Sequence, residues 1–288
     1  MRKNKNIFSN NKSIYSSRKK NGGSKAIIFL LVIVLGSILG VTIFKLYGEN
    51  FFTSKTPIIA IETPVETEVE IVVKPEDLVD QSNHIHAVDK FAYSTLDVRN
   101  WISSVELYQG EKIVFLTFDD GPSENTGKIL DILKEKDARA TFFTLGTSIE
   151  KSGNSGDLLN RMLSEGSAIA THSYTHVYDT LYPGKTGDKD AIMTEIDKMQ
   201  ELIRTVTKKE NFKTDVFRYP GGHMSWKGLD VVDSYLAENG IEYIDWNAMN
   251  GDSEPTSRRP KDALGTANYV MESLKFSKVK DVVVVLMH

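Results

Sequence analysis

Cysteine is absent from all 288 residues. That one absence excludes a disulfide framework, a thiolate zinc site and a cysteine nucleophile, so any metal must be held by histidine and carboxylate. An excess of positive charge is also missing. Against 35 Lys and Arg stand 39 Asp and Glu, a formal net charge of -4, and no basic stripe is interleaved with aromatics. Nucleic acid is therefore set aside as a partner, and no feature implies a protein partner. What remains is ordinary globular material: 40% hydrophobic and 26% charged residues, in a length that suffices for one sizeable core.

Long apolar runs are scarce, and the one that occurs is "AIIFLLVIVLGSILGVTIF", residues 26–44. It is uncharged and close to the length that crosses a bilayer. The flank from Arg2 to Lys25 is basic with no acidic residue. This asymmetry predicts a basic cytoplasmic tail over 1–25, a transmembrane helix over 26–44, and a cell-membrane protein whose remainder lies outside the cytoplasm. A cleaved signal peptide is the rival reading, disfavoured because the run exceeds a usual h-region and "VTIFKLYGEN" offers no small-x-small cleavage site. Residues 45–80, rich in Glu, Thr, Val and Pro, read as an extracytoplasmic stalk. Residues 81–110 carry Phe91, Tyr93, Trp101, Ile102 and Leu107, apolar weight enough to serve as a lead-in packed on the main domain. His84 and His86 in this lead-in read as incidental.

After Gly110 the chain alternates between short β-branched or aromatic runs and longer amphipathic ones. The predicted strands are "KIVFLTF" (112–118), "RATFFTL" (139–145), "SAIAT" (167–171), "DVFR" (215–218), "IEYIDW" (241–246) and "DVVVVLM" (281–287). Helical patterns begin between them at Thr126, Gly156, Lys189, Gly228 and Pro260. Such alternation predicts an α/β sheet or barrel with parallel crossovers, and in those folds chemistry gathers at the carboxyl ends of the strands.

Asp119 and Asp120 stand at the end of the first predicted strand, in "TFDDGP". A turn alone would account for Asp, Gly and Pro. The third strand, however, runs into "THSYTH", with His172 and His176 four residues apart; on a helical turn that spacing puts both imidazoles on one face. Two histidines and one aspartate make three ligands with a position left open for water, the layout of a catalytic metal site. Adjacent aspartates point in different directions, so one can be a ligand and the other a base. "FRYPGG" adds Arg218, suited to a bidentate grip on a carboxylate, and "VLMH" brings His288 to the same rim as an acid.

The ordered set "TFDDGP", "THSYTH", "FRYPGG", "WNAMNGD" and "VLMH" resembles the five motifs of the polysaccharide deacetylase family, carbohydrate esterase family four. The resemblance covers 111–288 and implies a distorted (β/α) barrel. It also implies a divalent metal, zinc ahead of cobalt, manganese or nickel, and removal of N-acetyl groups from cell-wall polysaccharide, with peptidoglycan N-acetylglucosamine foremost. Another acetylated glycan, or a non-catalytic glycan-binding wall protein, is the alternative. By this likeness Asp119 is the base, Asp120, His172 and His176 hold the metal, and Arg218 orients the base. Tyr219 offers a backbone N–H to the oxyanion, and His288 is the general acid. Asp252 fixes the charge of His288, with Asp245 as its competitor. Two departures accompany the resemblance. Ser253 stands where many members carry a tryptophan, and the family continues past the point matching His288, which implies a chain truncated there.

Overall fold

The structure is a computed structural model that describes residues 73–288. The expected basic tail, the apolar span at 26–44 and the stalk as far as residue 72 lie outside the described residues. Among the described residues, no helix is long and apolar enough to cross a membrane.

A short 3-10 helix (His86–Phe91) and α1 (Thr95–Ser103) lead into β1 (Ile113–Asp119), α2 (Thr126–Glu135), β2 (Ala140–Thr144), α3 (Gly146–Lys151), α4 (Ser155–Ser164) and β3 (Ala168–Thr171). Then come α5 (Tyr178–Leu181), α6 (Lys189–Thr207), β4 (Val216–Phe217), α7 (Leu229–Glu238), β5 (Glu242–Tyr243), β6 (Ala248–Met249), α8 (Ala263–Leu274) and β7 (Val282–Met287). The six predicted strands and five predicted helices all have counterparts here. The helix α6 illustrates why. Asp188 caps it by accepting from the N–H groups of Asp190 and Ala191, each at 3.0 Å. Ile192, Ile196, Met199 and Ile203 then recur at helical spacing to form its buried stripe.

The strands pair in the order β5-β4-β3-β2-β1-β7-β6, every pair parallel. β7 is a near-continuous Val and Leu run, buried over Val282 to Leu286, as a strand covered on both faces requires. The two edge strands are consecutive in the chain, joined only by 244–247. Five Cα steps span at most about 18 Å, whereas a flat sheet of seven strands would hold its edges roughly 29 Å apart. The sheet must therefore roll up. It does not close, because β5 and β6 are two residues each and do not pair with one another. The expected distorted barrel is thus an open, parallel half-barrel.

The lead-in packs as its composition implies. Ile85 and Val88 join Leu130, Phe142 and Met162 in one apolar cluster, and Val98 joins Phe143, Val282 and Val284 in another. Each fully buried side chain of this kind contributes about 1.5–3 kcal/mol. Leu78 belongs to the first cluster too and bridges to Ile85, so the globule reaches into the segment read as stalk. His84 braces this entry, with Nε2 2.9 Å from Asp89 and Nδ1 2.9 Å from the Ser82 hydroxyl.

Because all strands run the same way, β1, β3, β4 and β7 deliver Asp119, His172, Arg218 and His288 to one rim.

Candidate active site

Arg218 is the largest fully buried side chain among the described residues, 0% exposed. Its Nη1 donates to Asp119 Oδ1 at 2.8 Å and to the Thr117 hydroxyl at 2.7 Å. Nε donates to the Ile244 carbonyl at 3.0 Å and Nη2 to the Asp245 carbonyl at 3.3 Å, while the guanidinium lies 4.0 Å over the Phe143 ring. All three guanidinium nitrogens donate, four hydrogen bonds in all, as burial of this cation demands. The grip on Asp119 uses one carboxylate oxygen rather than the bidentate contact expected. Oδ2 is left facing the site, 3.7 Å from His172 Nε2.

Asp120 turns the other way. Its φ of 69° lies in the left-handed region, where aspartate is among the few residues tolerated. Its carbonyl accepts from the Ser148 hydroxyl at 2.8 Å, and the Gly121 carbonyl from the Leu145 N–H at 2.9 Å. The turn chemistry of "DDGP" is therefore present, and it serves to point two adjacent carboxylates at different partners.

The histidines are not on a helical turn, as their spacing suggests. Residues 172–177 form an irregular loop with Ser173 at φ 70° and His176 at φ 60°, and these two left-handed residues fold the chain back. The imidazole centroids end 5.1 Å apart. His172 Nδ1 lies 2.8 Å from the Arg218 carbonyl. A carbonyl only accepts, so Nδ1 carries the hydrogen and the Nε2 lone pair faces the site. Burial pushes the His172 pKa below its ordinary value, against the pull of Asp119 and Asp120, and so favours the neutral ligand form.

Asp120, His172 and His176 each present one ligand atom, all within 4.8 Å of one another. The two Nε2 atoms lie 3.7 and 3.8 Å from Asp120 Oδ1. That oxygen is buried and accepts no hydrogen bond. An orphaned carboxylate oxygen is costly, and flanked by two imidazole nitrogens it is a donor set suited to a divalent cation. The three residues fit such an ion.

One residue the sequence reading missed secures this loop. Glu195 of α6 is buried; its Oε2 accepts from the backbone N–H groups of Tyr174 and Thr175 at 3.0 and 3.1 Å, and its Oε1 from the Thr175 hydroxyl. The signal is present in the sequence, since a glutamate sits inside the apolar stripe beside Ile192, Ile196 and Met199. We expect Glu195→Ala to lower the affinity for cobalt by about 10–100-fold, the usual cost of losing an outer partner of the ligands. Glu195→Gln, which keeps one acceptor oxygen, should lose less. A cobalt titration followed by absorbance measures both.

His288 Nδ1 lies 2.9 Å from Asp252 Oδ1, and its N–H donates to Oδ2 at 2.6 Å. The Asn250 amide also donates to Oδ2, at 3.1 Å. The hydrogen bond to Asp252 raises the His288 pKa above the ordinary histidine value, outweighing burial. Burial opposes the charge on Asp252, but the contacts from His288 override it and its pKa falls. Asp245, the competitor, is elsewhere engaged: its carboxylate accepts the His223 N–H at 3.1 and 3.2 Å, and burial raises its pKa. Tyr219 is buried, with its hydroxyl donating to Asp233 at 2.8 Å. Its backbone N–H has no hydrogen-bond partner among the described residues, and Pro220 beyond it has none to offer. Trp246 stands half-buried 5.6 Å from the Arg218 guanidinium.

The family model for polysaccharide deacetylase matches residues 107–243. A solved Streptococcus mutans CE4 esterase is 40% identical, with a TM-score of 0.69, and the match covers 75% of this chain and 87% of that one. The chain belongs to the polysaccharide deacetylase family. These deacetylases are hydrolases that act on carbon-nitrogen bonds. A Bacillus cereus peptidoglycan-N-acetylglucosamine deacetylase is 33% identical over 178 residues, 62% of this chain and 59% of that protein. The solved catalytic domain of a peptidoglycan N-acetylglucosamine deacetylase from Eubacterium rectale is 26% identical, with a TM-score of 0.52, over 63% of this chain and 78% of that one. The chain spans 58–59% of the length of the first curated deacetylase relatives it matches.

Proposed function

We infer that this protein is a metal-dependent deacetylase that hydrolyses N-acetyl groups of cell-wall polysaccharide, with the N-acetylglucosamine of peptidoglycan as its substrate. The observation that carries the reading is the orphaned Asp120 oxygen between two imidazoles, set beside a second aspartate that a buried arginine aims. A divalent ion held by Asp120, His172 and His176 would supply Lewis acidity, polarising the acetyl carbonyl and acidifying water. The chain's own groups do the rest. Asp119 Oδ2 takes the proton of the attacking water, with Oδ1 pinned by Arg218 so that the free oxygen faces the reaction. The unpartnered Tyr219 N–H stabilises charge developing on the carbonyl oxygen. His288, kept protonated by Asp252, gives its proton to the departing amine nitrogen. The named activity of the Bacillus cereus relative supports the choice of glycan. The apolar run at 26–44 with its basic flank supports a domain held at the outer face of the cell membrane.

The test is acetate release from N-acetylated peptidoglycan by the purified chain, stripped with a chelator and then given zinc, cobalt or manganese. Release should vanish on stripping and return with metal. Release indifferent to chelation would overturn the reading, and a parallel assay on chitin oligomers and acetylated xylan ranks the glycans.

A pH profile tests the acid. Because its pKa is raised, His288 stays protonated past the ordinary histidine range, and the rate should fall only as pH rises through that raised value. Asp252→Asn removes the partner, so the alkaline limb should move to lower pH. A limb that stays in place would assign the proton to another group.

A further inference from the structure

Beside the metal cluster stands an aromatic layer that the chemistry described above leaves unused. The Tyr178 ring lies 5.2 Å from the His176 imidazole. It also meets Trp226 at 4.9 Å with the planes tilted by 60°, and Trp226 in turn stacks on Tyr182 at 4.0 Å with the planes 12° apart. The two inner rings are fixed: Tyr182 is buried, and the Trp226 indole N–H donates to the Pro220 carbonyl at 2.8 Å. Gly221, at φ 80°, packs against the layer so closely that a Cβ there would meet Trp226 and the Tyr178 hydroxyl at 3.3 Å. A glycine is needed at this point for both its backbone and its lack of a side chain.

Tyr178 itself is 43% exposed, although it rests on this rigid backing. Its chain neighbour Val177 is exposed as well. Apolar surface left open beside a reaction centre marks where a ligand is covered. The Tyr178 hydroxyl makes no hydrogen bond among the described residues, and its ring touches the His176 imidazole of the cluster. A flat apolar face with a free hydroxyl at its edge matches a pyranose, whose ring presents C–H groups on its faces and hydroxyls around its rim.

The geometry points to Tyr178 as a substrate-binding platform, on which one sugar ring of the substrate stacks while its acetamido group reaches the Asp120, His172 and His176 cluster. This rests on the deacetylase reading for the identity of the ligand. It goes beyond that reading in naming the residue that holds the ring. Recognition here is of a neutral pyranose face, so it accepts any glycan that presents one next to an N-acetyl group.

Binding, rather than turnover, tests it. The zinc-loaded chain carrying Asp119→Asn is titrated with a tetramer of N-acetylglucosamine by calorimetry, alone and with Tyr178→Ala or Tyr178→Phe added. The alanine variant should bind about tenfold more weakly, the size expected for one lost aromatic contact, and the phenylalanine variant should stay close to the parent. Equal affinity for all three overturns the platform. So does a phenylalanine variant as weak as alanine, which would move the contact from ring to hydroxyl. Cobalt uptake by each variant is read alongside; an alanine variant that no longer takes up cobalt shows a structural role and also overturns the proposal. Acetate release by the unmutated chain is measured separately. Release together with Tyr178-independent binding sinks the platform alone, whereas absence of release sinks the deacetylase reading and leaves the binding result to stand by itself.

Discussion

Acetate release falls by about 10²–10⁴-fold, the usual contribution of a general base, when Asp119 is replaced by asparagine, while the chain still takes up metal. The substitution is nearly isosteric. An asparagine oxygen can go on accepting from Arg218 Nη1, which is 2.8 Å from Oδ1, so the side chain keeps its place. What is lost is the second oxygen, the one 3.7 Å from His172 Nε2, because an amide nitrogen in its place takes no proton. The cluster of Asp120, His172 and His176 does not include Asp119, so a cobalt titration should give the same stoichiometry as the parent. Activity within tenfold of the parent would remove Asp119 from the role of base, and loss of cobalt with loss of activity would make it a ligand instead.

Arg218→Met should unfold the domain more readily than any surface change. Methionine fills much of the same volume but leaves the Asp119 carboxylate buried without its cation. It also frees the Thr117 hydroxyl and the Ile244 and Asp245 carbonyls of their donor. Breaking a buried ion pair from one side costs about 3–5 kcal/mol, which for a domain of this size is a drop in Tm on the order of 6–20 °C. The cost lies in the orphaned charge more than in the lost attraction. Adding Asp119→Asn to Arg218→Met should therefore recover part of the stability, a non-additivity that a thermal-melt cycle measures. A single variant melting within about 2 °C of the parent would mean that water reaches Asp119 and that the pair is not sealed.

The elements that can be read from the chain are those with a physical signature long enough to repeat. β1 and β7 announce themselves by apolar runs, and α6 by its stripe and its cap at Asp188. β6, two residues at Ala248–Met249, has no room for a period and leaves no mark in the sequence. α1 reads only as apolar bulk, although Thr95, Val98 and the half-buried Trp101 and Ile102 recur along one helical face. In the site, residue types and strand-end positions are legible because a parallel sheet gathers its carboxyl ends. The geometry between them is not. The approach of His172 and His176 depends on two left-handed residues in a loop rather than on helical spacing, and the choice of Asp252 over Asp245 depends on a contact 36 residues apart in the chain. No local pattern encodes either.

The open side of the half-barrel has a consequence for how the site fails. β5 and β6 are not laced to each other, and the span 244–247 that joins them is held from inside by Arg218, through two of its carbonyls. The seam of the barrel is thus riveted by the same cation that aims Asp119. Breathing at that seam and misalignment of the base are one motion, so the hoop stays open in its strand ladder yet cannot widen at this point and keep its base in line.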